Sequence, residues 1–599
     1  VIVNFEDAFQ WRARPLQTSS NLPAGEYDYV IITPEEFKPY FEKLATWKEQ
    51  KGLRVNVTTV EWILSTYSGY DDAEKVRNFI KDAYQTWNIK YVLLGGDCAW
   101  VPVRYVYLDD AVDAEYDEIY FPNQDGRYKL TDYYFACLDG TWDADGDHLY
   151  GENATGSATG EDEVDWYPEV IVGRLPVNNT EQAQIAVEKT IAADARQLNK
   201  RILLIGVNVF YDFYDWGLFD YDSAYDMENC SKWISPQWRR FRLYERSGNA
   251  SRYSVLRACG VYTDNGTILP TIILHSDHGS CDGLWESRGY RATLLSSDFD
   301  QYAFSTSNTF LIWADDCLSG GWDWFELGHG QPYDPNGDNN SIAEHATVYT
   351  RGGAFAYIGA SRVAYGGWTY GKYAACLMYY TVNETFDNGG NPYGNPPGDA
   401  LFAAKVDYVS NAYGLSGFDP DETASRKTVL EFNLLGDPEI SYGSPSIHQR
   451  EALVGQGENV YFFINVTSRA GLQWVNASWS SPDYDIDLYV YDPNGDLVAY
   501  SDASHTNKER VSFAPAKDGI YKVRIYGYFV QPRGTRIEVM VNATGNFTLY
   551  YTQPPSVLIE SPSEDSSISG VVTVRAYVNV PPRELSSVKV LDDLSICLL

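Results

Sequence analysis

The sequence predicts an α/β protein with mostly parallel sheets, followed by all-β sandwich modules. Three observations carry this. Between residues 28 and 200, short apolar runs alternate with helical periodicity. The alternation then recurs to about residue 360. Past about residue 445, helical periodicity stops and period-two alternation takes over.

The first element is the apolar run Tyr29-Val30-Ile31-Ile32, a strand. Thr33-Pro34-Glu35-Glu36 then supplies a cap residue, a proline and first-turn acids, which together mark a helix start. Phe37, Tyr40, Phe41, Leu44 and Trp47 recur at helical spacing, and Gly52 ends the element. Leu53 to Val57 is the next strand, 71–86 the next helix, and Tyr91-Val92-Leu93-Leu94 a strand ending at Gly95-Gly96-Asp97. This is the βαβ pattern of a parallel sheet. Val170-Ile171-Val172 and a helix over 180–198 repeat it. Four more strands follow, at Arg201–Ile205, Thr271–Leu274, Thr309–Trp313 and Ala354–Ile358. Runs this apolar fit strands covered on both faces. Farther on, Asp487-Leu488-Tyr489-Val490-Tyr491 leads into the turn Asp492-Pro493-Asn494-Gly495. Residues 450–553 read as a β-sandwich, Pro554-Pro555 as a linker, and 556–599 as the start of a further Ig-like β-module.

A chain of 599 residues exceeds one ordinary core. With 46 basic against 82 acidic residues its net charge is −36, which disfavours nucleic acid and anionic membrane as partners. No apolar run reaches the length of a membrane span. Twelve Asn-x-Ser/Thr sequons, at Asn56, Asn153, Asn178, Asn229, Asn249, Asn265, Asn339, Asn383, Asn465, Asn476, Asn542 and Asn546, point to a glycosylated, extracellular or cell-surface protein. No signal peptide is visible at Val1, as expected of a processed chain. The eight cysteines contain no Cys-x-x-Cys pair, which argues against zinc.

Two motifs could carry chemistry. His275-Ser276-Asp277-His278-Gly279 follows the Thr271–Leu274 strand, and Asp315-Asp316-Cys317-Leu318-Ser319-Gly320 follows the Thr309–Trp313 strand. Open α/β sheets place their sites at such strand ends. A thiol of ordinary pKa is mostly protonated at neutral pH, so a nucleophilic Cys317 needs a base, which His278 would supply. Gly279 and Gly320 leave backbone amides open to a developing oxyanion. On spacing alone, a plainer reading stands beside this: Cys317 as a small buried hydrophobe and His278 as a loop residue. His275 with Cys281 is a competing pair. Ser276, Ser280 and Ser319 lie outside any Gly-x-Ser-x-Gly elbow.

The series of motifs resembles gingipain-type cysteine peptidases of the caspase-like clan. The resemblance runs through Tyr29–Glu35, Leu93–Asp97, Thr131–Tyr134 with Asp139-Gly140, and Val172–Pro176. It continues through His278-Gly279, Cys317, Ile342–Glu344, Gly353–Gly359 and Asn433–Pro438. It implies two stacked caspase-like α/β subdomains with parallel sheets, 1–199 and 200–445, the second catalytic. Protein or peptide substrates would be cleaved with Cys317 as nucleophile and His278 as general acid/base. The N–H groups of Gly279 and Cys317 would hold the oxyanion, and Glu169 would orient the histidine. An acid selecting a basic side chain has no clear counterpart; Glu181 and Asp316 are the candidates. Unpaired, Asp315 and Asp316 would raise the thiol pKa. The 450–553 module resembles pre-peptidase-type accessory domains found after secreted peptidases. Another class of reading remains beside this one: a structural or adhesive surface protein retaining a peptidase fold, with self-assembly contacts through its β-modules.

Calcium is the expected cofactor, in a structural role. Asp143, Asp145, Asp147 and Glu152 set oxygen ligands around a glycine-containing loop, and Asp334, Asn336 and Asp338 repeat the pattern. Polar turns favour the same residues. Asp485 and Asp487 are a weaker third choice.

Overall fold

The structure is a computed structural model. It describes residues 20–51, 53–108, 118, 125–152, 162, 164–196, 198–210, 221–262, 264–286, 291–323, 340–366, 371–391, 393–415, 417–442, 448–457, 459–466, 473–479, 481–504, 506–517, 519–530 and 535–541, and the short strands 557–561, 575–578, 588–590 and 596–598. The chain forms two compact units; Ser444 closes the first and Pro445 opens the second.

The first unit is built on one sheet. In chain order its strands and the small ladders beside it are β1 (Tyr29–Thr33), β2 (Val55–Thr59), β3 (Tyr91–Gly95), the hairpin β4 (Arg104–Tyr107) and β5 (Tyr128–Thr131), β6 (Ile171–Leu175), β7 (Arg201–Gly206), β8 (Asn208–Phe210), β9 (Tyr221–Asp222) and β10 (Arg239–Tyr244). Next come β11 (Ile272–Ser276), β12 (His278–Ser280), β13 (Gly283–Glu286), β14 (Arg291–Leu295), β15 (Phe310–Asp315), β16 (Ala354–Ala360) and β17 (Phe432–Gly436). Ten of them join in the order β10-β7-β11-β15-β16-β17-β6-β3-β1-β2. Strands from both sides of residue 200 therefore share one sheet. All pairs are parallel except β16 with β17. The sheet is thus two parallel five-strand blocks of opposite direction. The C-terminal ends of β11 and β15 lie on the same edge as the N-terminal end of β6.

The apolar runs are buried for the predicted reason. All five residues of each of β1, β3, β6 and β11 are buried between helical layers. The helix predicted over 71–86 is Asp72–Trp87, capped by Asp71 accepting from the Glu74 amide. The helix predicted from Thr33 starts later, at Lys38, because the amides of Phe37 and Lys38 first turn back to the Pro34 carbonyl.

Several of the motifs that carry the family resemblance are braces of this sheet. Arg174 of β6 is fully buried; its Nε is 2.7 Å from Asp132 and its guanidinium also reaches the Gly96 carbonyl at 2.8 Å. Gly173 lets β17 close in, since a Cβ there would stand 2.3 Å from the Gly436 oxygen. Asp437 accepts from Tyr29 at 3.0 Å and pairs with the fully buried Lys48 at 2.7 Å. The last strand of the unit is thereby tied to the first.

The second unit contains a β-sandwich: β18 (His448–Val454), β19 (Asn459–Val466), β20 (Gln473–Trp479), β21 (Asp485–Tyr491), β22 (Leu497–Ser501), β23 (Lys508–Phe513), β24 (Gly519–Phe529) and β25 (Thr535–Val541). They form two four-stranded sheets, β18-β25-β20-β23 and β19-β24-β21-β22. Alternate residues such as Ile486, Leu488, Val490, Val523 and Ile525 fill its core. The predicted turn is present: Gly495 has φ +91° and donates to the Asp492 carbonyl at 2.9 Å. Later segments add two two-stranded ladders, Val557–Ser561 with Arg575–Val578 and Val588–Val590 with Ile596–Leu598.

Candidate active site

Strands β11 and β15 run parallel with Ser276 opposite Asp315. The pairing continues one step, since the Asp277 amide donates to the Asp315 carbonyl at 3.2 Å. The chains then leave the sheet, one carrying His278 and Gly279 and the other Asp316 and Cys317. Their approach is very close. A Cβ on Gly279 would stand 2.3 Å from the Cys317 carbonyl oxygen and 2.6 Å from Asp316 Cγ. Only glycine fits there.

The turn bearing Cys317 is tightly held. Leu318 adopts φ +66°, uncommon for a bulky residue. Full burial of its side chain and a 3.0 Å bond from its amide to the Arg362 carbonyl impose that conformation. Gly320 packs on β16, where a Cβ would meet the Gly359 oxygen at 2.5 Å. Arg362 is itself fully buried and pairs with Asp323 at 2.6 Å. Cys317 is partly exposed; its thiol points to the Ala364 carbonyl at 3.7 Å. A small apolar cluster of Cys281 and Leu318 packs beside it.

The His278 ring is half-buried, with Nε2 2.7 Å from the main-chain oxygen of Val209. A carbonyl only accepts, so Nε2 carries hydrogen and Nδ1 is the basic nitrogen of the neutral ring. Burial lowers the proton affinity of the ring, partly offset by that bond.

The profile of peptidase family C25 matches residues 22–443. The chain belongs to peptidase family C25. Residues 458–527 also match the bacterial pre-peptidase C-terminal domain. Gingipain R2 from Porphyromonas gingivalis is 28% identical over 105 residues, a stretch of 17% of this chain and 14% of that protein. The crystal structure of the Arg-specific cysteine proteinase gingipain R superposes with a TM-score of 0.53 at 14% identity, over 89% of this chain and 99% of that one. The complex of Porphyromonas gingivalis RgpB pro- and mature domains gives 0.52 at 15% identity, over 88% and 99%. Identities this low show a shared fold: a gingipain-like α/β unit.

Within this C25 chain the other expected residues fall as follows. Glu169 sits at the foot of β6, where its carboxylate accepts from the Leu138 amide at 2.6 Å. It lies on the same sheet edge as His278, but β6 is four strand positions from β11. At about 4.8 Å per strand that is about 19 Å, beyond side-chain reach. Glu169 therefore does not orient His278. The only sign of it in the sequence is its place before the β6 strand. A group that does touch the ring is the Val209 main-chain carbonyl, which no residue identity announces.

Asp316 is not a specificity acid either. It is buried and accepts from Ser319 at 2.5 Å, while Ser276 donates to Asp315 at 3.0 Å. Burial pushes the Asp315 carboxyl up to about 6 and Asp316 well above the carboxylate range, the latter helped by Asp315. The repulsion expected against a thiolate is reduced accordingly. Glu181 is exposed in the first turn of the Thr180–Ala195 helix. His275 is buried and bonded to Thr293 at 2.8 Å, and burial pushes its pKa down to about 3, which removes the competing pair. The hydroxyls of Ser276, Ser280 and Ser319 all bond carboxylates.

In the acidic loop, carboxylate oxygens of Asp143, Asp145 and Asp162 lie within 4.8 Å of one another, as do those of Asp145, Asp147 and Glu152. Asp162 comes from beyond the loop, so the local motif gives no sign of it. Asp334, Asn336 and Asp338 lie outside the described residues, as do Asn153, Asn339, Asn542 and Asn546; Asn465 is in β19, its side chain undescribed. Asn249 and Asn265 are exposed, and Asn56, Asn178 and Asn229 partly so. Asn383 is 2% exposed and donates to Tyr413 at 2.8 Å, and Asn476 is buried against Arg510. Neither has room for a glycan. Among the described residues, Cys137, Cys230, Cys259 and Cys376 are free thiols. Among the described residues, no helix is long and apolar enough to cross a membrane.

Proposed function

We propose that this chain is a cysteine endopeptidase acting on protein substrates through Cys317 and His278. The observation that carries the proposal is the apposition of Gly279 and Cys317 at the ends of β11 and β15. Nδ1 of His278 takes the thiol proton, and Sγ of Cys317 attacks the scissile carbonyl carbon. The N–H groups of Gly279 and Cys317 receive the negative oxygen. The carbon–nitrogen bond breaks as His278 returns the proton to the leaving amine, giving a thioester. Water, deprotonated by His278, attacks that thioester and releases the acid and the thiol. Cys317→Ala should abolish cleavage of fluorescein-labelled casein, and iodoacetamide should label the parent at Cys317. Undiminished cleavage by the variant would sink this reading.

The pre-peptidase-type domain and the exposed sequons at Asn249 and Asn265 support a secreted or cell-surface protein. Calcium is the proposed ion for Asp143, Asp145, Asp147, Glu152 and Asp162, whose hard oxygen donors suit it. Chelation by EGTA should lower the melting temperature, and added calcium should restore it. An unchanged melting curve would remove the ion from the account.

A further inference from the structure

The loop that touches His278 is itself anchored by two side chains of no assigned role. Val209, whose carbonyl accepts from the ring, lies in β8, a strand of three residues that, among the described residues, pairs with β9 alone. So short a ladder does not fix a carbonyl by itself. Ser223 and Glu245 do. The Ser223 hydroxyl is fully buried and lies 2.9 Å from the Val207 carbonyl and 2.8 Å from the Ser276 carbonyl, while accepting from the Val207 amide at 2.9 Å. The Ser223 amide also donates to the Val207 carbonyl at 2.9 Å. Val207 opens the path into β8, and Ser276 precedes His278 by two residues. One hydroxyl therefore joins Val207, the residue before β8, to Ser276, the last residue of β11 and two before His278. From the other side, Glu245 accepts from the Asn208 amide at 2.9 Å. Close packing completes the clamp: a Cβ on Gly206 would stand 2.7 Å from Ala224.

We propose that Ser223 and Glu245 are positioning residues for the peptidase reaction, holding β8 so that the Val209 carbonyl fixes the His278 ring. This rests on the Cys317–His278 reading above. In a triad a carboxylate usually sets the tautomer of the histidine. Here a neutral carbonyl performs that task. It leaves Nδ1 as the base and aims it away from β8.

The test uses the full chain and four variants: Ser223→Ala, Glu245→Ala, Glu245→Gln and Glu169→Gln. Initial rates on fluorescein-labelled casein give kcat and KM, and iodoacetamide gives the pH profile of Cys317 alkylation. A ring displaced by a fraction of an ångström to about 1 Å costs about ten- to a hundredfold in rate. Ser223→Ala and Glu245→Ala should lose that much kcat with KM little changed, and should shift the alkylation profile. Glu245→Gln keeps an oxygen acceptor for the Asn208 amide and should behave as the parent, which separates positioning from charge. Glu169→Gln should also match the parent. The proposal is overturned if Ser223→Ala and Glu245→Ala keep parent kcat and profile, or if Glu169→Gln loses as much as they do. Failure of the dyad reading looks different: the parent itself neither cleaves casein nor alkylates selectively at Cys317. In that case the ¹³C shifts of labelled His278 still decide the contact. The Nε2–H tautomer in the parent, mixed in Ser223→Ala, supports it, and the Nδ1–H tautomer overturns it.

Discussion

Gly279→Ala adds one methyl where the two strand exits meet. That carbon would stand 2.3 Å from the Cys317 oxygen, 2.6 Å from Asp316 Cγ and 2.9 Å from Asp316 Cβ. An unstrained carbon–oxygen contact is about 3.3 Å. The backbones must therefore part by about 1 Å. Neither side yields easily, because the Cys317 turn is locked through Leu318 and Gly320, and Gly279 is paired to Leu284 in the β12–β13 ladder. Overpacking of this kind costs about 1–3 kcal/mol of stability. The same displacement moves the proposed nucleophile and oxyanion donors relative to the base. A misplacement of about 1 Å lowers kcat about a hundredfold, which is about 2.7 kcal/mol of transition-state stabilisation. The assay is initial rate on fluorescein-labelled casein, with circular dichroism melting to confirm a folded variant and iodoacetamide labelling to follow Cys317. A folded Gly279→Ala protein with parent kcat would refute the reasoning, since the closest contact at the site would then be irrelevant to it.

Two further outcomes follow from buried titrating groups. Burial lowers the proton affinity of His278, so the ring stays neutral and competent as a base below its ordinary pKa of about 6.5. The acid limb of kcat/KM should therefore fall below about pH 6.5, and a limb at or above that value would contradict the assignment. Farther away, burial and the neighbouring Asp407 raise the Glu384 carboxyl, on the helix Ala374–Phe386, above its usual range. The folded state thus holds that proton more tightly than the unfolded chain. Its stabilising effect is complete below the unfolded pKa of about 4.3 and declines as pH rises through the folded value. Glu384→Gln should flatten this decline, stabilising the unit by about 1–2 kcal/mol at pH 8 relative to the parent; a parent-like pH dependence of the melting temperature in the variant would refute it.

Much of the architecture is legible in the sequence because burial leaves a local signature. β1, β3, β6 and β11 read as strands since both faces are covered, and the sandwich reads as alternation since one face is not. Caps are less plain: Thr33-Pro34 reads as a helix start but the helix begins at Lys38, while Asp71, read as the first residue of its helix, caps it instead. Glu169 shows where such reading ends. Its place before a strand is legible, but the order of strands in the sheet is not, and β17 enters between β16 and β6 from far along the chain. The sequons at Asn383 and Asn476 fail for the same reason, since a motif records no packing.

By itself, the sequence determined the two textures of the chain, the strand ends that carry His278 and Cys317, and the glycine between them. Those are properties of residues near one another in the chain. Only the tertiary structure decided what stands beside the imidazole. The Val209 carbonyl, the Ser223 hydroxyl that ties Val207 to the end of β11, and the distance that removes Glu169 all depend on contacts between segments far apart in sequence. A main-chain oxygen belongs to every residue alike. Its role is set by where the chain is held, and that is fixed by hydrogen bonds and packing rather than by residue type.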